Sequence, residues 1–349
     1  MNAADLFALL LNITSSVFII SVNKSLMGSA GYKFQYVVTL NALHYLATTV
    51  WTYAAKYFGL TKAPAKDEKA SVPLNDIIFF TVFANMSIIS LNTSLMINSI
   101  TMYQIAKLGI IPCTAVVEKM LYGRVFTLPM IGAIVVTLAG VALVAVAEFE
   151  LSPSAWGTFV ALLSILSSSS QQLLVRHLQL KHGVSSGALL GVLAPAQGFS
   201  LLLLSPFLDK LTTGTYVTEY EWTGGAAAAL GLSCSAAVLV NLSQFLVLGR
   251  FTAVTYQVLG HAKTVAVLVV GWACFGGTIT AQQLAGMGLA VGGMVTYSQA
   301  SATAPADVKH NTGKRIVDEG GKNSDGDEDD EKEQFVPHRA KKESHTISV

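Results

Sequence analysis

Three lysines, Lys24, Lys107 and Lys263, stand inside otherwise apolar stretches of the chain. A lysine ammonium at the centre of a bilayer costs about 2.5–3.5 kcal/mol on insertion scales, so each one needs something to offset it. The acids do not obviously serve: Asp5, Asp76, Glu118, Glu148 and Glu150 all fall near the ends of apolar stretches, and none lies deep in one. The residue types therefore point to a water-filled cavity that receives an anion, with an incoming phosphate supplying the countercharge. Lys24 sits so close to the end of its stretch that snorkelling to the interface is an equal alternative. Lys107 lies roughly 10 Å from the end of its own stretch, and Lys263 lies deeper still.

The neighbours of Lys263 share its face. Tyr256, Gly260, Lys263 and Thr264 follow helical spacing. Together they offer an aromatic ring, a gap where backbone can approach a ligand, an ammonium and a hydroxyl, a set suited to a nucleotide phosphate. His261 points to another face, where a packed histidine is expected. Tyr103, Gln104 and Lys107 repeat the pattern of Tyr256, Gln257 and the lysine beyond it, and Asn92 and Asn241 occupy comparable places upstream. Ser167–Ser170 with Gln171 and Gln172 form a polar patch that either lines the cavity or bonds to neighbouring helices. Gly286, Gly288, Gly292 and Gly293 imitate a dinucleotide loop, but they lie in an apolar stretch with no preceding strand, so close helix packing is the better account. Asn12, Asn85, Asn92 and Asn241 begin Asn-x-Ser/Thr triplets inside apolar stretches, where glycosylation is not expected. Nucleophile elbow, metal-ligand cluster and phosphate loop are all missing from the sequence, which weighs against an enzyme and gives no cofactor and no metal site. Cys113, Cys234 and Cys274 lack paired or metal-like spacing.

The elements that must position these residues are membrane helices. Of 349 residues 52% are apolar and 12% charged, against about 25% charged in soluble domains. The charge is also uneven: 19 of the 43 charged residues lie in 300–349, leaving 24 for the first 299. That body is too poor in charge to face water, so the bilayer is its expected solvent. The net charge of +1 gives no field for nucleic acid. Apolar runs predict ten spans, at roughly 5–27, 36–58, 76–98, 100–122, 128–148, 155–177, 186–206, 224–248, 253–275 and 281–299. The absence of a basic leader before the first run favours a retained helix over a cleaved signal or transit peptide. Lys56, Lys62, Lys66, Lys69, Lys119, Arg124, Arg176, Lys181 and Arg250 fall on one side of such an arrangement, and only Lys33 and Lys210 on the other. The positive-inside rule then places both termini in the cytosol.

Tyr103-Gln104-Ile105 recurs 153 residues later as Tyr256-Gln257-Val258, and at the same offset Gly140 meets Gly293. The chain reads as an all-α membrane protein of ten transmembrane helices in two five-helix repeats, 1–148 and 149–300. An odd number of helices per repeat inverts the second half, a transporter plan with its site near mid-membrane between the halves. Residues 301–349, with the acidic run Asp325–Glu331, lack the apolar content to fold and are expected to form a disordered cytosolic tail.

The phrase Val22-Asn23-Lys24-Ser25-Leu26-Met27, the stretch Tyr103-Gln104-x-x-Lys107-x-x-x-x-Pro112, and Val254 to Thr264 resemble the nucleotide-sugar/triose-phosphate translocator family. Within it they are most similar to the plant-type UDP-xylose and UDP-rhamnose/UDP-galactose branch with its Lys-Thr pair. The resemblance covers residues 5–299. It implies a drug/metabolite-transporter fold and a secondary antiporter exchanging a cytosolic UDP-sugar (UDP-galactose, UDP-rhamnose, UDP-xylose or UDP-arabinose) for luminal UMP at the Golgi membrane, the endoplasmic reticulum being the alternative. It also implies that Lys263 and Thr264 match the phosphate-contacting pair, where the triose-phosphate branch has Lys-Arg, and that Lys107 matches a second site lysine. The expected partners are thus UDP-sugar, UMP and the lipid bilayer, with a homodimer left open. Gly191-Val192-Leu193-Ala194-Pro195 stands where this branch usually has Tyr-Gln-x-Ala-Pro, and Ala253 where it has proline, so the particular sugar is not readable. Two rivals are an organic-phosphate antiporter, for phosphoenolpyruvate or a triose phosphate, and a non-transporting membrane scaffold acting through the acidic tail.

Overall fold

A computed structural model describes residues 3–28, 31–59, 72–98, 100–145, 155–258, 260–262 and 280–303. The described residues are helical, without a strand among them. The helices are α1 (Ala3–Met27), α2 (Val37–Tyr57), α3 (Leu74–Ile97), α4 (Ile100–Tyr122), α5 (Leu128–Ala145), α6 (Ala155–His182), α7 (Ser186–Thr213), α8 (Gly224–Arg250) and α9 (Ala281–Thr303). A further helical stretch, 253–258 and 260–262, precedes α9. Lys263, Thr264 and the tail beyond 303 lie outside the described residues.

The chain is a membrane protein by the make-up of these helices. Among the described residues, α1, α6, α7, α8 and Leu74–Ser94 of α3 are long and apolar enough to cross a bilayer. Large apolar side chains such as Phe7, Phe79, Val135, Phe199 and Leu203 point outward. The interior is instead unusually polar: Ser87, Ser94, Thr114, Thr137, Ser164, Ser167, Gln197 and Ser243 are all buried. Where lipid is the outer solvent, the polar groups turn inward.

Two expected boundaries shift. Pro206 is predicted to end the seventh span, but α7 continues through it to Thr213 and stops at Gly214, which adopts a left-handed conformation (φ 79°). A proline frees the carbonyl four residues earlier; here the Ser205 hydroxyl donates to that carbonyl, of Leu202, at 3.0 Å. The last helix runs to Thr303 rather than 299, into the start of the expected tail. The weakly marked break at Asn98 is real: Asn98 is extended, and its Nδ2 donates to the Ser94 hydroxyl and to the Gly157 carbonyl, both at 3.0 Å.

The helices pack in pairs from opposite halves of the chain: α5 with α9, α2 with α7, α3 with α6 and α1 with α8. The first pair is the closest. A Cβ on Gly140 would stand 2.4 Å from the Ala290 nitrogen and 2.7 Å from the Gly286 oxygen; one on Gly293 would stand 2.6 Å from the Thr137 nitrogen and 3.0 Å from the Ala133 oxygen. Ala133, Thr137 and Gly140 each precede Gly286, Ala290 and Gly293 by 153 residues. The contact is therefore its own counterpart under exchange of the halves; Gly286 and Gly293 serve helix packing as expected, whereas Gly288 and Gly292 have nothing within 4 Å of where a Cβ would stand among the described residues.

Candidate functional site

The stretch from 253 carries the sequence-predicted residues, and its own first turn begins it. Thr252 caps it, its Oγ1 accepting from the Thr255 amide at 3.2 Å and its carbonyl from the Tyr256 amide at 2.9 Å. The Glu118 carboxylate of α4 then accepts the amides of Ala253 (2.9 Å) and Val254 (3.4 Å), a negative group at the positive end of a helix. Glu118 also pairs with Arg124, and both are buried, at 2% and 6% exposed. Arg124 donates in turn to the Tyr297 hydroxyl at 3.5 Å, and Arg176 of α6 donates to the Phe251 carbonyl. The sequence reading placed Glu118 only as a helix-end acid and missed this cluster. Its signal was an acid and a base six residues apart across Gly123, whose φ of 62° marks a tight turn.

Beyond the cap, three of the predicted residues are in view. The Gln257 amide donates to Gln172 Oε1 of α6 at 2.7 Å. Tyr256 packs on the same apolar core as Tyr45 of α2. Among the described residues nothing lies within 4 Å of where a Cβ on Gly260 would stand. His261 is buried, as a packed histidine should be. Ile111 of α4 packs in one apolar cluster with Val254, Val258 and Ala262, which brings α4 and the stretch from 253 to one place, with Lys107 exposed.

The remaining predicted residues are distributed as follows. Tyr103 and Gln104 fall on α4 one turn before Lys107, but their side chains are outside the described set. Asn241 joins α8 to α2, donating to Thr48 Oγ1 at 2.9 Å. Asn92 is half-buried on α3 and no described hydrogen bond ties it to the others. Lys24 is exposed in the last turn of α1, beside Asn23, which accepts from Ser233 of α8; Ser233 in turn bonds His44 Nε2 of α2 at 2.8 Å. The Ser167–Gln172 patch, open between two roles, bonds to neighbours: Ser168 to Ser87 at 2.7 Å, Ser167 to Ser90 at 3.3 Å, Ser169 to the Ile110 carbonyl at 3.4 Å, and Gln172 to Gln257. Of the four Asn-x-Ser/Thr asparagines, Asn12 donates to Ser243 at 3.0 Å and Asn85 to Ser200 at 2.7 Å, both across helices. Among the described residues no cluster of His, Cys, Asp or Glu has the make-up of a metal site.

Residues 4–298 match the model of the Triose-phosphate Transporter family. The chain belongs to this family. It is 39% identical over 297 residues to UDP-rhamnose/UDP-galactose transporter 1 of Arabidopsis thaliana, covering 85% of this chain and 83% of that one. To UDP-xylose transporter 2 of the same organism it is 35% identical over 291 residues, covering 83% and 80%. One solved crystal structure shares the fold with a TM-score of 0.64 at 14% identity, over 83% of this chain and 98% of its own. Family membership makes the chain a transporter rather than an enzyme.

Proposed function

We propose that the protein is a nucleotide-sugar antiporter that exchanges a cytosolic UDP-sugar for luminal UMP by alternating access. The observation that carries this reading is the packing of α4, which bears Lys107, against the stretch that bears Tyr256, Gln257, Gly260 and His261, through Ile111 with Val254, Val258 and Ala262. An ammonium, an aromatic ring, an amide and a gap in the side-chain wall are what a phosphate joined to a nucleoside requires. The relatives, named for UDP-rhamnose, UDP-galactose and UDP-xylose, choose nucleotide sugars from among the phosphate-bearing anions.

The architecture proposed is ten spans in two inverted repeats, 1–148 and 149–300. Support comes from the pairing of α5 with α9 through contacts that map onto themselves at the 153-residue offset, and from the partner pairings α3 with α6 and α1 with α8. Lys263 and Thr264 would continue the face of Tyr256 and Gly260 one turn further into the membrane. By resemblance to the family, the proposed location is the Golgi membrane with both termini cytosolic.

Exchange follows from charge. Closing the cavity around ammonium groups without an anion would strip them of water; the phosphates of either substrate neutralise them and permit the swing. Proteoliposomes preloaded with UMP and offered radiolabelled UDP-galactose, UDP-rhamnose, UDP-xylose, UDP-arabinose, phosphoenolpyruvate and triose phosphate test this directly. Uptake of at least one UDP-sugar, absent from liposomes without UMP, is expected. Uptake of phosphoenolpyruvate or triose phosphate alone would replace this reading with the organic-phosphate one.

A further inference from the structure

The turn between α8 and the stretch from 253 is fastened by charged groups from three different helices. Arg250 donates to Asp5 of α1 at 3.1 Å, Arg176 of α6 holds the Phe251 carbonyl, and Glu118 of α4 holds the amides of Ala253 and Val254. Tyr297 of α9 adds a hydroxyl contact to Thr255 at 3.4 Å. Helices α1, α4, α6 and α9 thus converge on the turn at Phe251.

An antiporter must open its site to each membrane face in turn. From this convergence we infer that Glu118 is a latch: its carboxylate, shared between Arg124 and the amides of Ala253 and Val254, shuts the site at the face where α4, α6 and α8 end, and opening at that face requires the carboxylate to let go. This rests on the alternating access proposed above. Both oxygens of Glu118 are committed, Oε1 to the helix start and Oε2 to Arg124. Neither is freely replaced by water while the cluster stays buried. The latch acts on the site through position alone, because the amides it holds begin the helix that carries Tyr256, Gln257 and Gly260.

The test reads opening rather than transport. In the full chain with Cys113, Cys234 and Cys274 replaced by alanine, Gly260→Cys puts a thiol where the described residues leave open space. A membrane-impermeant maleimide is applied to reconstituted protein from each face separately. Glu118→Gln keeps an acceptor for Ala253 but loses the charge shared with Arg124; labelling from the latch face is expected to rise about tenfold and labelling from the opposite face to fall. Arg176→Gln, which loosens the same turn from α6, is expected to act in the same direction and serves where Glu118→Gln fails to fold. Unchanged labelling in both Glu118→Gln and Arg176→Gln, or a rise from the opposite face, would overturn the latch. Protection of the thiol by UMP is measured alongside. If labelling shifts as expected while UMP and UDP-sugars give no protection, the proposed substrate fails and the latch stands.

Discussion

Gly260 and Gln257 make opposite demands on their surroundings. Among the described residues Gly260 has open space where a side chain would project, so Gly260→Leu should leave the melting temperature within a few degrees while cutting UDP-sugar counterflow about tenfold or more by filling the space a ligand would use. A melting temperature that falls sharply would instead mean that the space is a packing gap. Gln257 is engaged already, with Gln172. Interhelical hydrogen bonds in membrane proteins average about 0.6 kcal/mol, so a double-mutant cycle of Gln257→Ala and Gln172→Ala should return a coupling of about that size in detergent unfolding. A coupling indistinguishable from zero would remove the bond. The pattern at this scale is visible in the sequence: tyrosine and glutamine repeat 153 residues apart, each pair followed by a lysine, on the two helices proposed to carry the site. The role of Glu118 is not, because its importance comes from amides of a helix 135 residues away, and distant backbone leaves no mark in a local pattern.

Among the elements, the pairing of α5 with α9 is the most demanding. Gly140→Val would drive a side chain into the backbone of Ala290 and Gly286, and overpacking of this kind costs about 1–3 kcal/mol or more. Gly132→Val, on the same helix but facing open space, should cost far less, and thermal unfolding of the two variants compares them. Equal destabilisation would count against close backbone approach as the cause. Asp209 is a second element-scale test. It is buried at the end of α7 and accepts the amides of Val38 and Thr39 at 2.9 and 2.8 Å together with the Thr39 hydroxyl at 2.6 Å, capping α2. Asp209→Ala should cost about 2 kcal/mol, the loss of a buried cap, and show as a lowered melting temperature. Helix positions were legible because apolar length is imposed by the bilayer. The extension of α7 past Pro206 was not, since it depends on one hydroxyl, of Ser205, finding one carbonyl.

At the scale of the whole molecule, the lipid-facing surface is apolar and the hydrogen bonds run inward, so serine, threonine and asparagine contacts between helices join the halves. Removing residues 304–349, which follow α9, should leave counterflow within about twofold of the full chain, because the proposed exchange is carried by the helices alone; loss of uptake would give the acidic tail a part in transport. The central claim is that fixed positive groups among the helices are alternately neutralised by the phosphates of two substrates. The most direct measurement is counterflow of UDP-sugar into UMP-loaded proteoliposomes with Lys263→Ala, checked by thermal unfolding with and without UMP. The account predicts a folded protein that neither takes up UDP-sugar nor is stabilised by UMP. Normal counterflow in that variant would contradict it.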